Sequence, residues 1–290
     1  MLSPLLVLVL AGCASAPPPD PLSRQWAQAM QRGHQALARD EAAQAEREYT
    51  RARWLAESID NRPGRAEAVL SLAAAIEAGG RDAEALALLQ ALLAADEGLS
   101  PAGRVVAHGR AGALCLSLST PECAQRHVQA AHALCAGTCE HRHAVGVLRA
   151  RWALSTGQVD QAQELATQAL AQLPAAAPTT EPTGRRLLGE RANALRLLAR
   201  VHLVRAQGAP AGAPAQGAQA VAHAQAAQAI AHAQDALEID RSLGRAAHAL
   251  ASLDLLAEAH ERRGDAVQAG QWRERAALAR QAAARLGRRN

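Results

Sequence analysis

The sequence predicts an all-α protein, a solenoid of about six helical hairpins, and three observations support this fold class. Alanine accounts for 75 of the 290 residues, and alanine is the best helix former and a weak strand former. Phenylalanine is absent and aromatic residues make up 2% of the chain, which disfavours a β-sandwich, a β-barrel or an α/β enzyme with apolar buried strands. Glycine and proline separate helical patterns that come in pairs from residue 22 onward.

The charge balance excludes one class of partner. All 31 basic residues are arginine, there are 27 acidic residues, and the formal net charge is +4. Four tryptophans and one tyrosine are too few to form a stacking platform for nucleotide bases. We therefore predict that the protein has no nucleic-acid partner.

Residues 1–12 have the pattern of a signal peptide. The apolar run at residues 5–10 is too short to cross a hydrocarbon core of ~30 Å as a helix. It has the length of the apolar region of a signal peptide. The segment is predicted to be removed on export.

The next residue indicates how the exported chain is held. The sequence Leu10-Ala11-Gly12-Cys13 resembles the lipobox of bacterial lipoproteins, which implies that Cys13 is lipidated and becomes the mature N-terminus. Ala14, where an aspartate is absent, resembles lipoproteins of the Gram-negative outer membrane. The alternative is an ordinary secretory signal with a chance cysteine. We expect a lipid anchor in the outer membrane, with the protein facing the periplasm.

A proline-rich tether follows the lipidation candidate over residues 13–22. Four of the five residues at 17–21 are proline, which favours an extended, semi-rigid spacer. The spacer is expected to hold the folded domain, residues 23–290, away from the membrane surface.

Small residues recur within this domain at matched intervals. A small residue in a first helix precedes a small residue in a second helix by 12 positions, and another apolar position follows seven residues later. The five instances are Gly33 with Ala45 and Ala52, Ala73 with Ala85 and Leu92, Gly112 with Ala124 and Ala131, Ala150 with Ala162 and Ala169, and Ala257 with Ala269 and Ala276.

One further unit fits the pattern with an insertion. Ala199 pairs with Ala229 and Ala236 if the turn between its helices is longer by about 18 residues. The stretch at 206–220, rich in alanine, glycine and proline, supplies those residues and is predicted to be a flexible insert.

The spacing resembles the tetratricopeptide repeat (TPR). Residues 157–162 and 264–269 resemble the turn between the two helices of that repeat and the start of its second helix. The resemblance implies helical hairpins stacked into a right-handed superhelix. Tyr49 stands where the family has an aromatic residue, and Arg149 stands where the family usually has a core leucine. The alternative is an unrelated all-α bundle.

Four cysteines besides Cys13 lie in or directly after the third hairpin. Cys115 and Cys123 flank the turn of that hairpin, and Cys135 and Cys139 flank a helix-ending turn. An even number of cysteines in an exported chain favours disulfides, with three possible connectivities. The local pairs are the first choice.

A metal site is the alternative interpretation of the same region. Cys135, Cys139, His141 and His143 offer ligands suited to zinc or copper, which would make the chain a metal- or redox-responsive envelope protein. Their spacing matches no standard zinc motif, and oxidised cysteines do not bind metal. We therefore predict no metal and no cofactor.

No catalytic motif occurs in the sequence. The chain has no lysine for a phosphate-binding loop, no nucleophile elbow, no His-Glu-x-x-His pair and no dinucleotide fingerprint. We predict that it has no catalytic residues and no small-molecule substrate, and is not an enzyme. A lytic enzyme within a helical superstructure is the remaining catalytic alternative.

The TPR resemblance places a partner-binding groove along the first helices of the hairpins. The positions that it assigns to the groove include His34, Arg151, Arg196, Arg200 and Glu258. Arginines in the middle predict a partner segment with acidic residues. The combined prediction is a lipid-anchored adaptor for a protein partner in envelope assembly, at the secretin, pilus or peptidoglycan machinery.

Overall fold

Twelve α-helices follow one another along the part of the chain that the structure describes. The computed structural model describes residues 20–137, 139–208 and 215–287. The predicted signal peptide at 1–12, Cys13 and most of the tether lie outside these residues. The helices are α1 (Pro21–Ala38), α2 (Ala42–Ser58), α3 (Arg62–Ala78), α4 (Asp82–Ala95), α5 (Pro101–Ser117), α6 (Pro121–Leu134), α7 (Arg142–Ser155), α8 (Val159–Ala171), α9 (Pro182–Gln207), α10 (Ala215–Ser242), α11 (Ala246–Arg262) and α12 (Ala266–Gly287).

The helices stack in series as six hairpins. Every helix contacts the next one in the sequence, from α1 with α2 through to α11 with α12. The first helices of successive hairpins also contact one another, α1 with α3, α3 with α5, and on to α9 with α11. Among the described residues no helix contacts another that is more than two positions away in this order. This arrangement confirms the predicted all-α solenoid of helical hairpins.

Small side chains lie at the helix interfaces, as the spacing predicts. Ala45, Ala52, Ala85, Ala124, Ala131, Ala150 and Ala162 are fully buried, and so are Ala73, Ala199, Ala229 and Ala236. Alanine at facing positions lets the two helix backbones approach closely, and leucines such as Leu195, Leu198 and Leu256, all buried, fill the remaining space.

A hydroxyl residue followed by proline, a pattern typical of helix starts, precedes both α5 and α6, but only the first hydroxyl caps its helix. Ser100 precedes Pro101, and its Oγ accepts a hydrogen bond from the Gly103 amide at 3.0 Å, as a cap residue should. Thr120 precedes Pro121 in the same way, but its hydroxyl donates to the carbonyl oxygen of Cys115 at 3.0 Å. The Thr120 side chain therefore ties α6 back to the end of α5 and does not cap α6.

The structure has helix at both ends of the predicted flexible insert, 206–220. α9 continues to Gln207 and α10 begins at Ala215, while residues 209–214 lie outside the described residues. Helix propensity explains these helical ends, because an alanine-rich stretch remains a good helix former wherever proline does not interrupt it. None of the described helices is long and apolar enough to cross a membrane.

Candidate partner-binding groove

The first helices of the hairpins line a groove with a volume of about 930 Å³. The turn between α10 and α11, at residues 243–245, and the first residues of α11, at 246–248, also line it. The groove is defined here by that turn and by Leu37 of α1, Glu77 of α3, Gly109 and Arg110 of α5, Val147 and Arg151 of α7, and Arg186 and Asn193 of α9.

Small residues of α5 open the groove. Gly109 and Ala113 line it, and they occupy the same register relative to Gly112 as Val147 and Arg151 occupy relative to Ala150. Neither residue is among the groove positions predicted from the sequence, although the register of the other hairpins, applied to α5, gives both.

Arg151 lies in the groove and has no ion-pair partner among the described residues. Its guanidinium makes no hydrogen bond with a described residue either. The same holds for Arg200 on α9, which is exposed and lies outside the groove cavity. Arg151 keeps contact with solvent, yet partial burial by the groove walls lowers its pKa. The nearby Arg200 lowers that pKa further, while Glu77 opposes the shift. Two adjacent like charges that form no ion pair, beside a Glu77 that is already paired with Arg110, favour an anionic ligand.

The other groove arginines are already engaged. Arg110 forms an ion pair with Glu77. Arg186 donates to Glu190 at 2.9 Å and to a backbone carbonyl at 3.2 Å. Burial lowers the pKa of His248, at the start of α11, to about 3, and the charges of Arg245 and Arg196 contribute to this shift.

The prediction that Arg196 faces a partner requires correction. Its guanidinium forms an ion pair with Asp240 of α10 and donates to Asn193. Asp240 is fully buried and also pairs with Arg245 at 3.3 Å. Burial raises the pKa of Asp240, while the two arginines oppose the rise. Arg196 thus belongs to an internal ion cluster that connects α9 to Asp240 of α10 and to Arg245 in the turn between α10 and α11.

The predicted groove position Glu258 lies on α11, where other acidic residues pair with arginines of α12. Asp254 of α11 pairs with Arg280 of α12 at 2.6 Å, and Glu261 pairs with Arg273. Glu258 is half-buried and does not line the groove cavity. His34 likewise lies outside that cavity and stands edge-on to Tyr49, with ring centroids 5.5 Å apart.

The structure joins the four described cysteines in the two local pairs that the sequence favours. Cys115 pairs with Cys123 at a Cα–Cα distance of 5.7 Å, and Cys135 pairs with Cys139 at 5.2 Å. Both distances lie within the range that disulfides require. The first pair links α5 to α6, and the second closes the turn after α6.

The four metal-ligand candidates are not brought together. Cys135 and Cys139 are bonded to each other, His141 contacts Glu140 at 3.1 Å, and His143 is buried. Among the described residues, the group with ligand atoms within 4.8 Å of one another is Cys115, Cys123 and His127. Its two cysteines form a disulfide, so neither set presents free thiolates for a metal.

Comparisons with protein-family models and with curated proteins find no match. Similar solved structures include BtubC (BKLC) from P. vanneervenii, with 17% identity, a TM-score of 0.48, and coverage of 91% of this chain and 92% of that one. A tetratricopeptide repeat protein from Parabacteroides merdae ATCC 43184 has 13% identity, a TM-score of 0.44, and coverage of 91% and 94%. The TPR2AB domain of yeast Sti1, solved as a complex with pHSP90, has 13% identity, a TM-score of 0.35, and coverage of 88% and 99%. The fold assignment rests on the hairpins of this chain themselves.

Proposed function

We propose that the chain is a scaffold that binds an acidic segment of a protein partner in the groove. The observation that carries the proposal is Arg151, which lines the groove and has no ion-pair partner among the described residues. The exposed Arg200 on the neighbouring first helix lies close enough to act on its charge, although it is outside the cavity. Charge-assisted hydrogen bonds from arginine to carboxylate are strong and can be bidentate. An acidic segment would relieve the repulsion between the two cations.

The length and walls of the groove support an extended or helical segment as the ligand. Apolar walls from Leu37, Val147 and Leu148 supply area for burial beside the charged centre. A cavity of about 930 Å³ is larger than a single side chain needs, and peptide recognition by a groove uses several successive side chains.

Attachment to the outer membrane is the second part of the proposal. Cys13 carries the acyl anchor, the proline-rich tether holds the solenoid off the membrane, and the groove faces the periplasm. The lipobox sequence supports the anchor, and two cysteine pairs suit an oxidising compartment. In that location the partner belongs to envelope assembly, at the secretin, pilus or peptidoglycan machinery.

Photo-crosslinking in intact cells tests the groove. A photoreactive residue at Ala144, which is exposed and lines the groove, should capture a protein. The same residue at Arg51, which is exposed on α2 and outside the groove, should not. The double variant Arg151→Glu and Arg200→Glu should abolish capture from Ala144. Identical capture from both positions, or capture that survives charge reversal, would contradict the proposal.

Membrane fractionation tests the anchor separately. The Cys13→Ser variant should lose its acyl group and leave the membrane fraction, because no described helix can cross a bilayer and the acyl chains would supply the affinity. Unchanged membrane association of Cys13→Ser would refute the lipid anchor without affecting the groove.

A further inference from the structure

A second cleft lies outside the groove, between the second helices of the third and fourth hairpins. It consists of two adjoining cavities of about 190 Å³ and about 160 Å³, bounded by α6 and α8 and floored by α7. His132, Arg149 and Leu165 line both cavities. We call the two cavities together the outer cleft.

Cations without partners line the outer cleft. Arg142 and Arg149 project from α7, one exposed and one half-buried, and neither guanidinium makes a hydrogen bond or an ion pair with a described residue. No carboxylate lines either cavity. A half-buried arginine costs desolvation energy that an internal counter-ion would normally offset.

Buried polar atoms in the outer cleft also lack partners. His143 is 7% exposed, and its Nδ1 has no hydrogen-bond partner among the described residues. The indole Nε1 of Trp152, which is a donor only, is unpartnered in the same way. Burial, with the charges of Arg142 and Arg186, lowers the pKa of His143, so the imidazole is neutral at neutral pH and can donate one proton.

The two cavities differ in character. The first holds Arg142, His143 and the amides of Gln168 and Gln172. The second adds Val128 and Trp152, with the amides of Gln125, Gln129 and Gln161, to the shared His132, Arg149 and Leu165. The donors in the first suit a carboxylate, which accepts several hydrogen bonds at once, and the second suits an apolar group of a few carbon atoms.

We propose that the outer cleft binds a carboxylate ligand with an apolar substituent. The carboxylate lies between Arg142, Arg149 and His143, and the substituent lies against Val128, Trp152 and Leu165. Such a ligand is either a free organic acid or the C-terminus of a polypeptide ending in an apolar residue. The site shares no charged residue with the groove and does not depend on the groove's function.

Calorimetric titration with three small probes tests the proposal. N-acetyl-leucine should bind saturably, whereas N-acetyl-leucinamide, which lacks the carboxylate, should not bind. Inorganic phosphate should bind at least tenfold more weakly than N-acetyl-leucine, since it cannot use the apolar cavity. A ten-residue peptide ending in leucine distinguishes the sources. A gain of tenfold or more over N-acetyl-leucine indicates a chain terminus, and equal or weaker binding indicates a free acid.

Variants tie the binding to the outer cleft. Arg149→Leu should weaken N-acetyl-leucine binding at least tenfold while leaving the melting temperature of the ligand-free protein unchanged or higher, since a half-buried charge is removed. Arg142→Gln, at an exposed position, provides a variant that does not perturb the core and should also weaken binding. Arg51→Gln is the matched control and should bind as the native chain does.

Three results would overturn the proposal. They are absence of saturable binding by N-acetyl-leucine, equal binding of the acid and the amide, and tighter binding of phosphate than of the acid. The indole N–H resonance of Trp152, identified by its loss in Trp152→Phe, should shift on titration with N-acetyl-leucine. An unmoved Trp152 resonance would place any binding elsewhere and refute this site.

Discussion

The arginines of the first helices show that a groove position in the repeat does not by itself determine whether a side chain is free to bind a partner. Arg196 and Arg200 are one helical turn apart on α9, and the repeat register places both at the groove. Asp240, 44 residues after Arg196, forms an ion pair with Arg196, whereas Arg200 has no ion-pair partner among the described residues. The sequence could not reveal this because nothing near Arg196 indicates that a buried carboxylate of α10 faces it.

Gly33 is the residue at which the small-residue rule is most stringent. A Cβ atom added there would lie 2.5 Å from Cε1 of Tyr49, and Tyr49 is fully buried. The Gly33→Ala variant should therefore be destabilised by ~1–3 kcal/mol, the usual cost of overpacking a core. Chemical denaturation followed by circular dichroism measures the change.

Gly270 provides the matched control for this substitution. It lies inside α12, and an added Cβ would meet nothing within 4 Å. Gly270→Ala should raise the free energy of unfolding by up to ~1 kcal/mol, because alanine is the better helix former. Equal effects of the two substitutions would mean that close approach at Gly33 does not matter.

At the scale of helices and turns, local spacing predicts most of what the structure contains. The positions of Ala45, Ala124, Ala162 and Ala269 fix where the second helices lie, and all four are buried. At 206–220 composition was a poorer guide than spacing, because the stretch resembles a linker while its alanines from residue 215 belong to α10. The spacing of small residues follows from which side chains face a neighbouring helix. Composition does not determine where a helix begins or ends within an alanine-rich stretch.

Two disulfides cross-link the third hairpin and the turn that follows it. In a Cys13→Ser chain purified without reductant, a thiol assay should find no free thiol, and after reduction in denaturant it should find four. The double variant Cys135→Ser and Cys139→Ser should lose ~2 kcal/mol of stability, as expected for a short closed loop. Four free thiols in the unreduced native chain would contradict the pairing.

At the scale of the whole molecule, serial stacking creates both sites. The groove arises where five first helices lie side by side and the α10–α11 turn also lines the cavity. The outer cleft arises where α6 and α8 stand apart over α7. The sequence predicts the hairpins from local periodicity, and the TPR resemblance assigns Arg151 to the groove. Neither could predict the lining by the α10–α11 turn, Arg186 or the outer cleft, because these depend on how distant hairpins are oriented.

Serial stacking also predicts how a local defect spreads. Because each described helix contacts only helices one or two positions away in the series, stability is close to a sum of hairpin and interface terms. A defect in the first hairpin should therefore leave the last hairpin intact.

Hydrogen exchange of the Gly33→Ala variant, measured by mass spectrometry segment by segment, tests that claim most directly. Exchange should accelerate in α1, α2 and the adjoining α3, and it should remain at the native rate in α11 and α12. A uniform acceleration across all twelve helices would show a single cooperative globule and would contradict the solenoid account.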